Sequence, residues 1–189
     1  MNLMHRWFCS SRHWANTVHG RLPWALEGVI LGSNVLEIGP GPGITTDLLR
    51  VRVEHLTCVE VDRKLAQSLT GRMGQHGVEV LNQDGTATTL PDGHFDSVVC
   101  FTMLHHIPST ELQDRLLAEA HRVLRPGGTF AGTDSRSSFS FRLLHIRDTM
   151  VVVDPSTFTQ RLKAAGFVDV RVDLSPTCFR FCGRKGDDN

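Results

Sequence analysis

The stretch Val35-Leu36-Glu37-Ile38-Gly39-Pro40-Gly41-Pro42-Gly43, VLEIGPGPG, decides the fold of this chain. Val35, Leu36 and Ile38 form a short apolar run of the kind a parallel strand needs when helices cover both of its faces. Glycines at alternate positions then end the strand. They supply positive φ and let a ligand approach the main chain without meeting a Cβ, while Pro40 and Pro42 stiffen the turn. A helix is expected from Ile44 to about Val51, with its free N–H groups and positive dipole end aimed at whatever lies over the loop.

Working outward, the nearest alternative is the dinucleotide fingerprint G-x-G-x-x-G, which requires a third glycine where this chain has Ile44. A second strand, His55 to Asp62, ends in the acidic pair Glu60 and Asp62. That is roughly the ~20-residue distance at which such folds place a ribose-binding carboxylate. The glycine turn and the acidic pair support each other.

On these residues the chain resembles the class I S-adenosylmethionine-dependent methyltransferases, whose first motif is an acidic residue followed by G-x-G-x-G, matched by Glu37, Gly39, Gly41 and Gly43. The resemblance continues through Glu60, Asp84 in LNQDGT, the FDSVVC strand with MLHHIP after it, and LRPGG before strand five, covering about Gly32 to Gly183. It implies a three-layer, Rossmann-like α/β methyltransferase fold. The sheet would be seven-stranded and mostly parallel, in the order 3-2-1-4-5-7-6, with strand 7 antiparallel and helices on both faces. The implied cofactor is S-adenosyl-L-methionine, leaving as S-adenosyl-L-homocysteine. The implied cofactor-binding residues are Glu37, Gly39, Pro40, Gly41, Gly43, Glu60, Val61, Asp84, Gly85, Thr86, Cys100 and Phe101. For Glu37 a second reading stands, in which it orients the glycine loop and does not touch ligand.

A chain of 189 residues fits one domain. Its expected parts are an N-terminal helical lid over 1–31, a cofactor-binding core over 32–135, a short substrate-side insertion over 136–150, and a C-terminal helix and β-hairpin over 151–189. Twenty basic and twenty acidic residues balance, with no basic run suited to a phosphate backbone, which argues against nucleic acid as a partner. Cysteines 9, 58, 100, 178 and 182 are odd in number and lack zinc-site spacing, so free thiols, no metal and a cytoplasmic location are expected. Four residues of extended chain separate Cys178 from Cys182 by about 13 Å, too far for a disulfide. Arg6, Arg12 and His13 interrupt the N-terminus before an apolar run can form, so no transmembrane segment or signal peptide is read there. The expected assembly is a monomer or homodimer.

In chain order, Trp7 and Trp14 would share one helical face. That face either packs on the sheet or forms a lid whose His5, Trp7 and His13 touch substrate. Pro23 and Trp24 are read as opening a further helix toward Gly32. A helix over Arg63 to Met73 is closed by glycines at 71, 74 and 77, and strand three, Val78 to Gln83, delivers Asp84 to the crevice beyond the strand ends. There Asp84 serves either an adenine amino group or a turn. Strand four is Phe95 to Phe101, with Asp96 at the end away from chemistry. A helix over Glu111 to Leu124 stops at Arg125-Pro126-Gly127-Gly128. Strand five, Thr129 to Thr133, then carries Asp134 to the same rim as Met103 to Ile107. Beyond it, a polar stretch and an amphipathic piece with Phe141, Leu143, Leu144 and Ile146 read as the substrate-determining segment. Asp154 and Pro155 suit a helix start and Gly166 its stop. The alternating runs Val168 to Leu174 and Thr177 to Gly183 make an antiparallel pair, with a polar tail from Arg184.

Methyl transfer from a sulfonium is an in-line displacement, so alignment supplies much of the catalysis. A base is needed only where the nucleophile must lose a proton. His105 and His106 stand where the resembling family contacts substrate and the methionine end of the cofactor. His105, with Asp134 as its orienting carboxylate, is the favoured catalytic candidate, and His106 is the alternative. After strand four the chain reads CFTMLHH, not the N/D-P-P-Y/F of exocyclic-amine methylation, and Val99 precedes Cys100 where cytosine C5 methylation needs Pro-Cys. The pair of glutamates that arginine methylation needs is likewise missing. A small-molecule acceptor remains, methylated preferentially on oxygen. The alternatives are a catalytically silent S-adenosylmethionine-binding or interaction protein on the same fold, and an NAD-dependent oxidoreductase.

Overall fold

The computed structural model describes residues 11–137 and 150–187. The expectations for His5, Trp7, Cys9 and the Phe141 to Ile146 piece lie outside the described residues. The chain forms α1 (Arg12–Ala25), β1 (Asn34–Ile38), α2 (Ile44–Leu49), β2 (His55–Val59), α3 (Arg63–Met73), β3 (Val78–Leu81) and β4 (Phe95–Phe101). It continues through α4 (Thr110–Val123), β5 (Leu124–Ser135), α5 (Pro155–Ala164), β6 (Phe167–Leu174) and β7 (Cys178–Lys185).

The strands form one sheet in the order β3-β2-β1-β4-β5-β7-β6. β1 to β5 pair in parallel, and β7 runs antiparallel to both β5 and β6. Successive side chains of a strand point to opposite faces, and the two cores show it. Leu36, Ile38, Val98 and Cys100 pack with Leu116, Leu117 and Ala120 of α4 and with Phe158 and Leu162 of α5. Val35, Leu56, Cys58 and Val99 pack on the other face with Leu49 of α2 and with Leu69 and Met73 of α3. This is the three-layer arrangement the resemblance implies, and it explains why the central strands read as unbroken apolar runs.

Polar caps set the helix starts that the sequence announces. Asp62 accepts from the Lys64 and Leu65 amides to begin α3, Ser109 accepts from Leu112 N–H to begin α4, and Asp154 accepts from Ser156 N–H ahead of Pro155 to begin α5. At the amino end of β4, Asp96 accepts from the Ser33 and Asn34 amides at 2.7 and 2.9 Å and pairs with Arg125 at 2.7 Å. Its place away from the crevice is as expected.

Three expectations need correction. Pro23 and Trp24 do not open a helix: both lie in the last turn of α1, which runs through the proline and ends two residues later at Ala25. Gly71 does not close α3, which runs through it to Met73; Gly77 makes the left-handed turn that follows, at φ +72°. β5 begins at Leu124, directly at the end of α4 and not at Thr129, because Leu124 pairs with Phe95 before the register shifts to Ser97–Thr129, so Arg125 to Gly128 form a bulge within the strand.

Candidate functional site

The order of strands reverses between β1 and β4, with β2 on one side and β5 on the other. In open α/β sheets ligands bind in the crevice outside the strands' carboxyl ends at such a switch point. The two segments that leave these strands, Gly39 to Gly43 and Phe101 to His106, therefore form its walls.

The glycine turn closes with Gly43 N–H donating to Pro40 O at 2.9 Å, and Gly39 N–H donates to Val59 O at 2.9 Å. Its three glycines have different neighbours. A Cβ on Gly39 would press on Met103, and one on Gly43 would collide with Arg72 and Leu69. A Cβ on Gly41, at φ +56°, would meet nothing within 4 Å, so the loop's open face lies there. Arg72 was not singled out from sequence, where it reads only as a basic residue in the last turn of a helix. It donates to Pro42 O at 2.7 Å and Gly43 O at 3.2 Å and pairs with Asp47 at 2.5 Å, clamping the turn from outside.

Glu37 is 1% exposed and accepts from the Thr46 hydroxyl at 2.6 Å and from the Thr45 hydroxyl, with the Cys58 thiol at 3.6 Å. These contacts anchor the start of α2 under the turn, the loop-orienting geometry. Burial pushes its carboxyl up from the ordinary value, against the hydroxyl bonds that pull it down. Glu60, the first residue past β2, is 5% exposed. It accepts from Gly41 N–H and from Asp62 N–H, both at 2.9 Å. Burial raises this carboxyl too, opposed by those backbone donors. Val61 beside it is 70% exposed, an apolar side chain open to a planar ring. Asp84 is exposed and accepts from Thr86 N–H at 2.8 Å, forming a turn, and Gly85 leaves the space that Ile38 fills.

Not every candidate reaches the crevice. Cys100 points into the core with Leu36 and Val98, and burial pushes its thiol far up. Phe101, half-buried, does line a cleft between α1 and the ends of β4 and β5, with Trp14, Val18, Arg21, Leu22 and Thr133. α1 is fixed there by Arg180, which donates to Trp24 O and pairs with Glu27 at 2.8 Å.

The exit from β4 is sharp. Thr102 has φ +51°, a rare conformation for a β-branched residue, with its N–H on Thr133 O at 2.7 Å. A short 3-10 turn, Leu104 to His106, follows. The two residues paired from sequence meet: His105 Nδ1 lies 2.5 Å from Asp134 Oδ1, and His105 N–H donates to Asp134 Oδ2 at 2.9 Å. Their side chains are 3% and 0% exposed. His106 is half-buried, its ring 4.2 Å from that of His105. No group of three or more metal-ligating side chains occurs among the described residues, and none of the described helices is long and apolar enough to cross a membrane.

These residues fit a nucleoside cofactor on geometric grounds. The turn is open at Gly41, a carboxylate stands beside it, and an exposed apolar side chain adjoins the carboxylate. Comparison with known proteins points the same way. A family model described as a methyltransferase domain matches residues 36–132. An uncharacterized methyltransferase of Mycobacterium tuberculosis is 31% identical over 97 residues, which are 51% of this chain and 48% of that one. A ubiquinone biosynthesis O-methyltransferase of Azotobacter vinelandii is 30% identical over 153 residues, covering 75% and 63%. The chain thus spans about half the length of the curated relatives it matches first. A solved S-adenosylmethionine-dependent methyltransferase of Archaeoglobus fulgidus superposes with a TM-score of 0.76 at 17% identity over 97% of this chain and 98% of its own. A Pyrococcus horikoshii protein does so at 0.80 and 14% over 94% of both. At such identities the likeness is one of fold.

Proposed function

This chain belongs to the methyltransferase-domain family whose model it matches, and from that premise we propose that it transfers a methyl group from S-adenosylmethionine to a hydroxyl of a small molecule. The bound cofactor supplies an activated methyl on a sulfonium. The protein's part is to hold it and to align the acceptor. Glu60 takes the ribose hydroxyls, the open face of the turn at Gly41 takes the neighbouring polar groups, and Val61 with Asp84 takes the adenine.

The observation that carries the oxygen preference is the His105–Asp134 contact of 2.5 Å at the β4–β5 rim. A carboxylate on Nδ1 holds the proton there, which makes Nε2 the basic nitrogen of the ring and the one suited to take a proton from a hydroxyl. Burial of the pair keeps bulk water from competing for that proton. The O-methyltransferase relatives agree with this choice of atom.

Two measurements test the reading. S-adenosylhomocysteine at about 100 times its dissociation constant should stabilise the fold by roughly 2.7 kcal/mol, and NAD should not; stabilisation by NAD alone overturns the cofactor. With methyl-labelled cofactor and a pool of hydroxylated small molecules, His105→Ala should lower turnover by about 10²- to 10⁴-fold at unchanged cofactor affinity, and Asp134→Asn by less. Near-normal turnover in His105→Ala, with loss in His106→Ala, would move the role to the neighbouring ring. A protein that binds cofactor but labels nothing in any pool would be the silent binder.

A further inference from the structure

We infer that Gln113 is a positioning residue for His105, a buried carboxamide that locks the turn bearing the histidine to the chain returning at Val151. The inference rests on the reading of His105 as the group that serves the acceptor.

Gln113 is 1% exposed on the face of α4 that otherwise presents Leu116, Leu117, Ala120 and Val123 to the core. A polar side chain at such a position is the unusual observation. Its Nε2 donates to Leu104 O at 3.1 Å and to Val151 O at 2.8 Å. Rotating the amide by half a turn would set its oxygen against two carbonyls that cannot donate, so the network itself fixes which atom is nitrogen. The two N–H bonds of a planar amide diverge at a fixed angle, and they therefore set the spacing of the two carbonyl oxygens.

What they set is the backbone on both sides of His105. The peptide between Leu104 and His105 is held at its oxygen by Gln113 and at its nitrogen by Asp134. The peptide between His105 and His106 is held at its oxygen by Val151 N–H, 2.9 Å away, and at its nitrogen by Met103 O, 3.0 Å away. Gln113 is the side chain common to the Leu104 and Val151 arms, so it closes a ring through His105. Its Oε1, meanwhile, is buried without a hydrogen-bond partner among the described residues. A methionine or leucine would fill the space without that cost. Placement of His105 is the reason the geometry offers for a glutamine.

The test needs no acceptor. A histidine Nδ1–H donating to a buried carboxylate gives a far-downfield proton resonance, and its loss in Asp134→Asn assigns it. In Gln113→Met, S-adenosylhomocysteine should bind within about twofold of the wild-type affinity while the His105 resonance shifts or broadens, in both the free and the S-adenosylhomocysteine-saturated protein. A folded Gln113→Met with an unmoved resonance overturns the inference, because a side chain that only fills space would alter the melting temperature and not the histidine. Should that variant not fold, the wild-type protein decides: both Gln113 side-chain amide protons should exchange with solvent at least about 100-fold slower than a free carboxamide, and free exchange overturns the inference. Failure of methyl transfer bears on the proposed function alone, since neither readout here involves turnover.

Discussion

Glu60→Gln separates the brace that this side chain forms from the ribose contact proposed for it. In the wild type one oxygen accepts from Gly41 N–H and the other from Asp62 N–H, both at 2.9 Å. Glutamine keeps the shape, but its oxygen serves only one amide and its NH2 faces the other, so about one charge-assisted bond of roughly 1.5–3 kcal/mol is lost. Against this stands a gain. Burial raises the Glu60 carboxyl above its ordinary value, so its ionisation at neutral pH opposes folding. A raised folded pKa gives stability that is full below the unfolded value near ~4.3 and is lost as pH rises through the folded value. The neutral amide escapes that loss at pH 7. The two effects act on the fold in opposite directions, and a thermal melt reads their balance. Toward cofactor the proposed contact predicts a loss with no offset, since the ribose hydroxyls would meet an amide in place of a carboxylate. A charged partner's ~1.5–3 kcal/mol corresponds to about 10- to 100-fold in affinity. Calorimetric titration with S-adenosylhomocysteine beside a thermal melt reads both quantities. An unchanged dissociation constant in a folded Glu60→Gln refutes the assignment of the ribose to Glu60, and the structural brace would then be its whole role.

Two further substitutions probe the frame around the crevice. Arg72→Met removes the clamp on Pro42 O and Gly43 O; with the side chain 43% exposed, about 1 kcal/mol of stability and a 3- to 10-fold loss of S-adenosylhomocysteine affinity are expected, and equal affinity by calorimetry would show the turn stands without it. Asp96→Ala should lower stability by about 1.5–3 kcal/mol at neutral pH with cofactor affinity unchanged. Desolvation alone would raise the Asp96 carboxyl, but the Asn34 and Ser33 amides and Arg125 outweigh it and hold the carboxyl below its ordinary value. Its contribution is therefore present above the unfolded value near ~3.9 and lost as pH falls through the folded one. Urea unfolding should show the gap between wild type and variant closing as pH falls below the unfolded value near ~3.9; a gap independent of pH would mean the carboxylate's charge is irrelevant there.

What was legible in the sequence has a physical pattern. β4 and α3 fall where they were read, because the strand is an apolar run after the Pro91-Asp92-Gly93 turn and Asp62 caps the helix. The sheet order follows from the resemblance, and the closing hairpin from two alternating runs with a short turn. His105 and Asp134 could be placed on one rim because neighbouring parallel strands deliver their ends together, but only the structure shows contact. Errors arose where a residue's local preference was overruled by its surroundings: Pro23 tolerated in a last helical turn, Gly71 within α3, and a glycine run held in β5 as a bulge. For Cys100, strict alternation puts the side chain on the face of Val98, where it is buried in the core. Arg72 and Gln113 are illegible for a different reason: their partners lie 25 to 30 and 9 to 38 residues away, and no local pattern marks such a contact.

The two walls of the crevice are mechanically one. Thr102, in its left-handed conformation, turns the chain so that Met103 lies against Gly39, and a Cβ there would press on that methionine. The Thr102 amide is tied to Thr133 O, and the next residue of β5 is Asp134, which takes both the amide and the ring of His105. Contacts therefore run without a break from the turn that Glu60 and Arg72 hold to the histidine proposed to serve the acceptor. An in-line displacement depends on the donor carbon and the nucleophile lying on one axis. A fold that fixes its cofactor loop and its acceptor-side turn to each other through one methionine meets that requirement in its frame, before either ligand arrives.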